Sequence, residues 1–170
     1  MDANTRINQL ERELNILRGK YAQRGQHLSG LGQDPNTNGV IKEFFVYEED
    51  FLALAIGTSA AGNINIQADS DFVLQKLTYF ADVAAAGQTA ATRVVPLATL
   101  QITDTGSGRN VMESAVPITS IFGTGELPFI LPTPRLFLAR STIAITVANF
   151  DAADAYNIRL SFIGYKVYRL

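Results

Sequence analysis

From Val40 to the C-terminus, apolar residues recur at alternate positions in short runs, broken by glycine, proline and Asn/Asp clusters about every eight to fifteen residues. A period of two sends successive side chains to opposite faces of an extended backbone, so a chain that holds it this long builds sheets. Ser141–Asn149 shows the pattern best. There Ile143, Ile145 and Val147 alternate with Ala144, Thr146 and Ala148, which defines one buried face. Strands are expected near Ile41–Tyr47, Asn63–Ala68, Phe72–Phe80, Ala98–Asp104, Asn110–Glu113, Val116–Phe122, Arg135–Leu138, Ser141–Asn149 and Tyr156–Tyr168. EDFLALAI, at Glu49–Ile56, also suits a short helix. In the last run Ile158, Leu160 and Phe162 share a face while Tyr165 and Val167 take the other parity, which predicts a bulge or bend near Gly164. DTGSGRN, with Gly106 and Gly108, reads as a hairpin turn.

Many strands joined by clear turns predict an all-β protein, a jelly-roll-like two-sheet β-sandwich over residues 40–170 with Ile143, Ile145, Val147, Ile158, Leu160 and Phe162 in its core. The absence of tryptophan and cysteine argues against an immunoglobulin-like sandwich. Without cysteine there are no disulfides or thiolates, so stability has to come from packing and assembly.

Two segments of different character precede the sandwich. Residues 1–24 carry Ile7, Leu10, Leu14, Leu17 and Tyr21 at alternating spacings of three and four, the seam of an amphipathic helix, with Asn4 or Thr5 placed to cap its start and Gly25 to end it. Gly19 weakens that helix by about 1 kcal/mol relative to alanine. Ile7, Leu14 and Tyr21 take a positions of a heptad, and Leu10 and Leu17 take d positions. In a parallel coiled coil Arg6 then faces Glu11 of a neighbour and Glu13 faces Arg18, both attractive pairs. The expected arrangement is a parallel homo-oligomer; the other reading is a single amphipathic helix laid on a protein surface. Residues 25–39, with Gly25, Gly30, Gly32, Gly39 and Pro35, form a polar linker.

Few residues here can carry chemistry. His27, the single histidine, falls in the polar linker, so a histidine-lined metal site cannot be built within one chain. Glu48–Glu49–Asp50 and Asp69–Ser70–Asp71 lack the alternating oxygen ligands and distal glutamate of a calcium loop. Ser107 sits between glycines in a turn and not in a nucleophile elbow, and the glycines of GTSAAG and GTGELP lie outside any phosphate-cradling unit. A formal charge of −2, from 16 acids against 14 bases, provides no field for nucleic acid. No apolar run approaches the roughly 18 residues of a membrane span, and no secretory signal is read at the N-terminus. The expectation is a non-enzymatic protein without cofactor or metal. Sugar binding is the rival reading, since jelly rolls host lectins, although no tryptophan is present to stack on sugar rings.

VPITSIFGTGELPFILPTPRLFLARSTIAITVANF and AYNIRLSFIGYKVY, with the turn-rich Gly123–Thr124–Gly125, the Pro128, Pro132 and Pro134 series and the closing Gly164–Tyr165–Lys166, resemble virion structural proteins of tailed phages. The likeness is to small jelly-roll capsid decoration or cement proteins and head-fibre bases, and it covers about a third of the chain. It implies a virion component that binds the major capsid protein or another virion protein, assembles in the host cytoplasm and stabilises the shell. The alternative it allows is the glycan- or receptor-binding head of a fibre. It also tips the expected oligomer from dimer towards trimer. Leu131–Arg135, with two prolines that cannot donate, is expected either to run along a sheet edge, to contact a neighbour or to act as a rigid connection.

Overall fold

The computed structural model describes residues 40–84 and 90–169. The proposed N-terminal helix and linker, with Arg6, Ile7, Leu10, Glu11, Glu13, Leu14, Leu17, Arg18 and Tyr21, lie outside the described residues. Contacts divide the chain into Met1–Glu43 with Arg169–Leu170, and Phe44–Tyr168. The second unit is a two-sheet β-sandwich.

Its elements are β1 (Val40–Leu54), β2 (Ser59–Asn65), β3 (Asp71–Val83), a 3-10 turn (Ala90–Thr92), β4 (Ala98–Asp104), β5 (Arg109–Asn110), β6 (Val116–Pro117), α1 (Ile118–Ile121), β7 (Phe129–Phe137), β8 (Thr142–Asn149) and β9 (Tyr156–Arg169). One sheet has the order β1-β9-β3-β7, the other β2-β8-β4-β5, with β6 also paired to β4. Because β5 and β6 share one side of β4, the strands fill eight places; the connections β4–β5 and β5–β6 stay within one sheet, and the others cross to the opposite sheet. That order is the jelly-roll-like arrangement expected from the sequence.

The alternation dictates the core. β4 turns Ala98, Leu100 and Ile102 inward, and its neighbour β8 contributes Ile143, Ile145 and Val147. The facing sheet supplies Phe72, Leu77, Ile158, Leu160 and Phe162. All six core residues expected from the sequence are fully buried, and each large apolar side chain so placed contributes about 1.5–3 kcal/mol. Phe122, beyond α1, closes the core edge-on against Phe162 with ring centroids 5.6 Å apart.

Several elements differ from the sequence reading. Glu49–Ile56 is not a helix: β1 continues to Leu54, with Phe51 buried and Leu52 exposed, and the chain then turns through Gly57 (φ 67°). Its apolar spacing fits both periods, and pairing in the sheet decides for strand. Glu49 faces inward over Gly62, where its carboxylate accepts the Asn63 backbone N–H of edge strand β2; burial holds its pKa above the ordinary value. Such an inward charge blunts a sheet edge. The strand expected at Val116–Phe122 stops after Pro117, whose missing N–H cannot extend the ladder, and the chain coils into α1 with Phe122 N donating to Ile118 O at 2.8 Å. Of the strand expected at Asn110–Glu113 only Asn110 lies in the ladder, as the second residue of β5. β7 starts at Phe129, so the proline segment runs along a sheet edge; Leu131–Pro134 stand opposite Gln75 alone, since Leu74 pairs with Arg135 and Lys76 with Ile130.

The irregularity expected near Gly164 is present, but the extra residue is Gln75 on β3. The parity of β9 therefore continues unbroken, and Tyr165 and Val167 face outward. Lys166 faces inward, buried, with Nζ 3.9 Å from the Phe45 ring centroid and donating to Gln67 Oε1.

At the β8–β9 connection Tyr156 Oη donates to the Asp151 carboxylate. Burial first, and Asp151 second, push the Tyr156 pKa up to about 12 from 10.0. A raised folded-state pKa means that this contribution is complete below pH 10 and is lost as pH rises towards 12. Urea midpoints are expected to fall across that window in the wild type and to fall less in Tyr156→Phe. An equal fall in both would contradict the shift.

Candidate interaction surface

The sheet β1-β9-β3-β7 presents an outer face on which register aligns side chains in rows, apolar apart from Lys76. Leu136, Val73 and Tyr165 lie abreast on β7, β3 and β9, and so do Ile130, Lys76 and Ile163. Ile130 is 64% exposed and Leu136 49%. On β1 the inward Phe45, Tyr47, Glu49 and Phe51 leave Phe44 and Val46 on the outer face, Phe44 being 73% exposed. Isolated exposed apolar residues are ordinary; Ile130, Leu136, Phe44 and Val46 share one sheet face, which makes that face the candidate contact surface.

The bulge at Gln75 builds this face. Before it, Val73 points outward; after it, Lys76 does, with Phe72 and Leu74 inward on one side and Leu77 and Tyr79 inward on the other. The sequence FVLQKLTYF does not reveal the switch, because a continuous alternation would place Lys76 on the same face as Phe72 and Leu74.

Beyond β7, the free side of β3 is covered by loops. Gly123 and Leu77–Tyr79 exchange backbone bonds, Val94 N donates to Ala81 O at 3.0 Å, and Asp82 pairs with Arg93 as an isolated antiparallel bridge. A groove of about 210 Å³ opens there, lined by Tyr79, Phe80, Ala81, Arg93, Val94, Val95 and Thr124. It falls below the roughly 300–1,000 Å³ of sites that enclose a small molecule. The Arg93 guanidinium covers the Phe80 ring at 5.4 Å, so the ring is not bare for a sugar to stack upon. Asp82, beside it, is fully buried, and among the described residues neither carboxylate oxygen has a hydrogen-bond partner. Its sequence context, Phe-Ala-Asp-Val, reads as an ordinary outward polar position.

The other polar groups considered from sequence serve the fold. Asp104 accepts from Gly106 N, Ser107 N and Ser107 Oγ, the last at 2.7 Å, and lies 3.7 Å from Arg135 Nη2, so Ser107 is held as a turn residue. Asp71 accepts from Ala139 N, and Ser70 donates to Asp69. Glu48, Glu49 and Asp50 stand within β1 on alternating faces, and Asp50 lies 3.6 Å from Arg159. Among the described residues no three His, Cys, Asp or Glu side chains gather as metal ligands, and no helix is long and apolar enough to cross a membrane. Comparison of the chain with protein-family models, curated proteins and solved structures gives no match.

Proposed function

We propose that this chain is a non-enzymatic structural subunit that attaches to a larger assembly through the outer face of its four-stranded sheet. The observation that carries the reading is the pair of aligned rows, Leu136–Val73–Tyr165 and Ile130–Lys76–Ile163, flanked by Phe44 and Val46. The assembly we favour is a phage capsid, with the chain as a decoration or cement protein; the sequence resemblance supports this, and the fold does so by analogy, since jelly rolls build many capsid proteins. Self-association through residues 1–24 belongs to the same proposal, as a trimer before a dimer. Several copies on a repeating shell would then add weak contacts into durable attachment.

The test is co-sedimentation with shells assembled without the protein. Ile130→Asp/Leu136→Asp is expected to keep its thermal midpoint, because both side chains are exposed, and to bind shells at least tenfold more weakly. Tenfold corresponds to about 1.4 kcal/mol, less than the burial of two such side chains. A wild type that ignores shells but scores on a glycan array would replace this reading with the fibre-head alternative.

A further inference from the structure

The sandwich holds a buried carboxylate whose register partner is a cation turned away from it. Asp82 has no exposed surface, and among the described residues no group donates to either of its oxygens. A carboxylate taken out of water in this way loses its hydration without replacement. The antiparallel bridge sets Arg93 abreast of Asp82, and residues so paired send their side chains to one face with Cβ atoms about 4.5–5.5 Å apart. Yet the Arg93 guanidinium lies over Phe80, two positions back along the same face of β3. Arg93 is exposed and Phe80 is 37% exposed, and a cation–π contact in water is a weak tie. Two neighbours on the paired strand β9 have partners elsewhere. Arg159, abreast of Phe80, lies against Asp50, and Asn157, abreast of Asp82, accepts from Ala53 N.

We propose that Arg93 is a two-seat arm. In one seat it covers Phe80 and walls the groove; in the other it pairs with Asp82 and leaves the ring bare. Both seats are reached from one backbone position, because the bridge fixes Arg93 abreast of Asp82. A group that stacks on Phe80 displaces the guanidinium towards a carboxylate that otherwise has no partner, so filling the groove and satisfying Asp82 become linked. The device is independent of whether the outer rows bind a capsid.

The experiment removes the first seat. The side-chain Nε–Hε signal of Arg93, assigned by its loss in Arg93→Lys, is followed by NMR in the full-length wild type, Phe80→Ala and Phe80→Ala/Asp82→Asn. Rotation of the guanidinium about Nε–Cζ is expected to slow at least fivefold in Phe80→Ala, as pairing to a carboxylate imposes, and to return to the wild-type rate in the double variant. Equal rates in the single and double variants would overturn the proposal. Phe80→Leu, which keeps an apolar strand residue without a π face, gives the same comparison where Phe80→Ala does not fold.

Discussion

Gly164→Ala is expected to destabilise the sandwich by about 3 kcal/mol or more, a loss that only mechanisms such as core overpacking or backbone collision produce. Gly164 sits on the inner face of β9 opposite Leu74, beside the bulge at Gln75, where the β3 backbone lies close. A methyl group there meets the Val73 carbonyl oxygen and carbon and the Leu74 Cα. All three are backbone atoms, so no rotamer change relieves the contact. β3 cannot yield either, because it is paired to β9 on one side and to β7 on the other, and its displacement would unseat Phe72, Leu74 and Leu77 from the core. For a domain of this size the thermal midpoint should fall by roughly 10 °C. Gly125→Ala is the control: nothing lies within 4 Å of its added carbon, and a change within about 0.5 kcal/mol is expected. A Gly164→Ala protein as stable as that control would show that the two strands are farther apart at the bulge than described.

The same bulge shows how far the fold was legible in the sequence. β4 and β8 were read at or within one residue of their bounds because they pair side by side inside one sheet, with one face buried and no irregularity to disturb the alternation. β7 was read from Arg135 and begins at Phe129, since Pro132 and Pro134 argue against a strand locally and are tolerated only because β7 has a free edge. The residues at Glu49–Ile56 satisfy both helical and strand spacing, and only pairing in the sheet chooses between them. β9 pointed to an irregularity at the right place. Its own sequence could not say that the extra residue belongs to β3, because a bulge is a property of two strands and each sequence records only one.

The candidate surface was less legible than the core. Ile130, Leu136, Phe44 and Val46 have the composition of core residues, and their exposure follows from which sheet face each strand turns outward. The heptad seam at Ile7, Leu10, Leu14, Leu17 and Tyr21 is the plainest assembly signal in the sequence, and it lies outside the described residues, so its role rests on oligomer measurements. The groove left no signal at all. Phe80 and Arg93 are brought together by the bridge at Asp82, between positions separated by a turn and the 3-10 segment.

Asp82→Val is expected to raise stability by about 1–3 kcal/mol, against the usual direction of substitutions at a fully buried position. The carboxylate loses its hydration on folding, and among the described residues nothing donates to it in return. Valine removes that cost with a β-branched side chain suited to a central strand. Asp82→Asn should gain less, because an amide at the same place still brings polar atoms that need partners. The order valine above asparagine above wild type, read from urea midpoints at pH 7, therefore reports the cost of the unpartnered group and not a change of volume. If Arg93 spends part of its time on Asp82, the gain from valine shrinks in proportion, and adding Arg93→Ala to both proteins should restore the full difference. A valine variant less stable than the wild type, with or without Arg93, would mean that the carboxylate is held by a donor in the folded protein, and the vacant seat assigned to Arg93 would not exist.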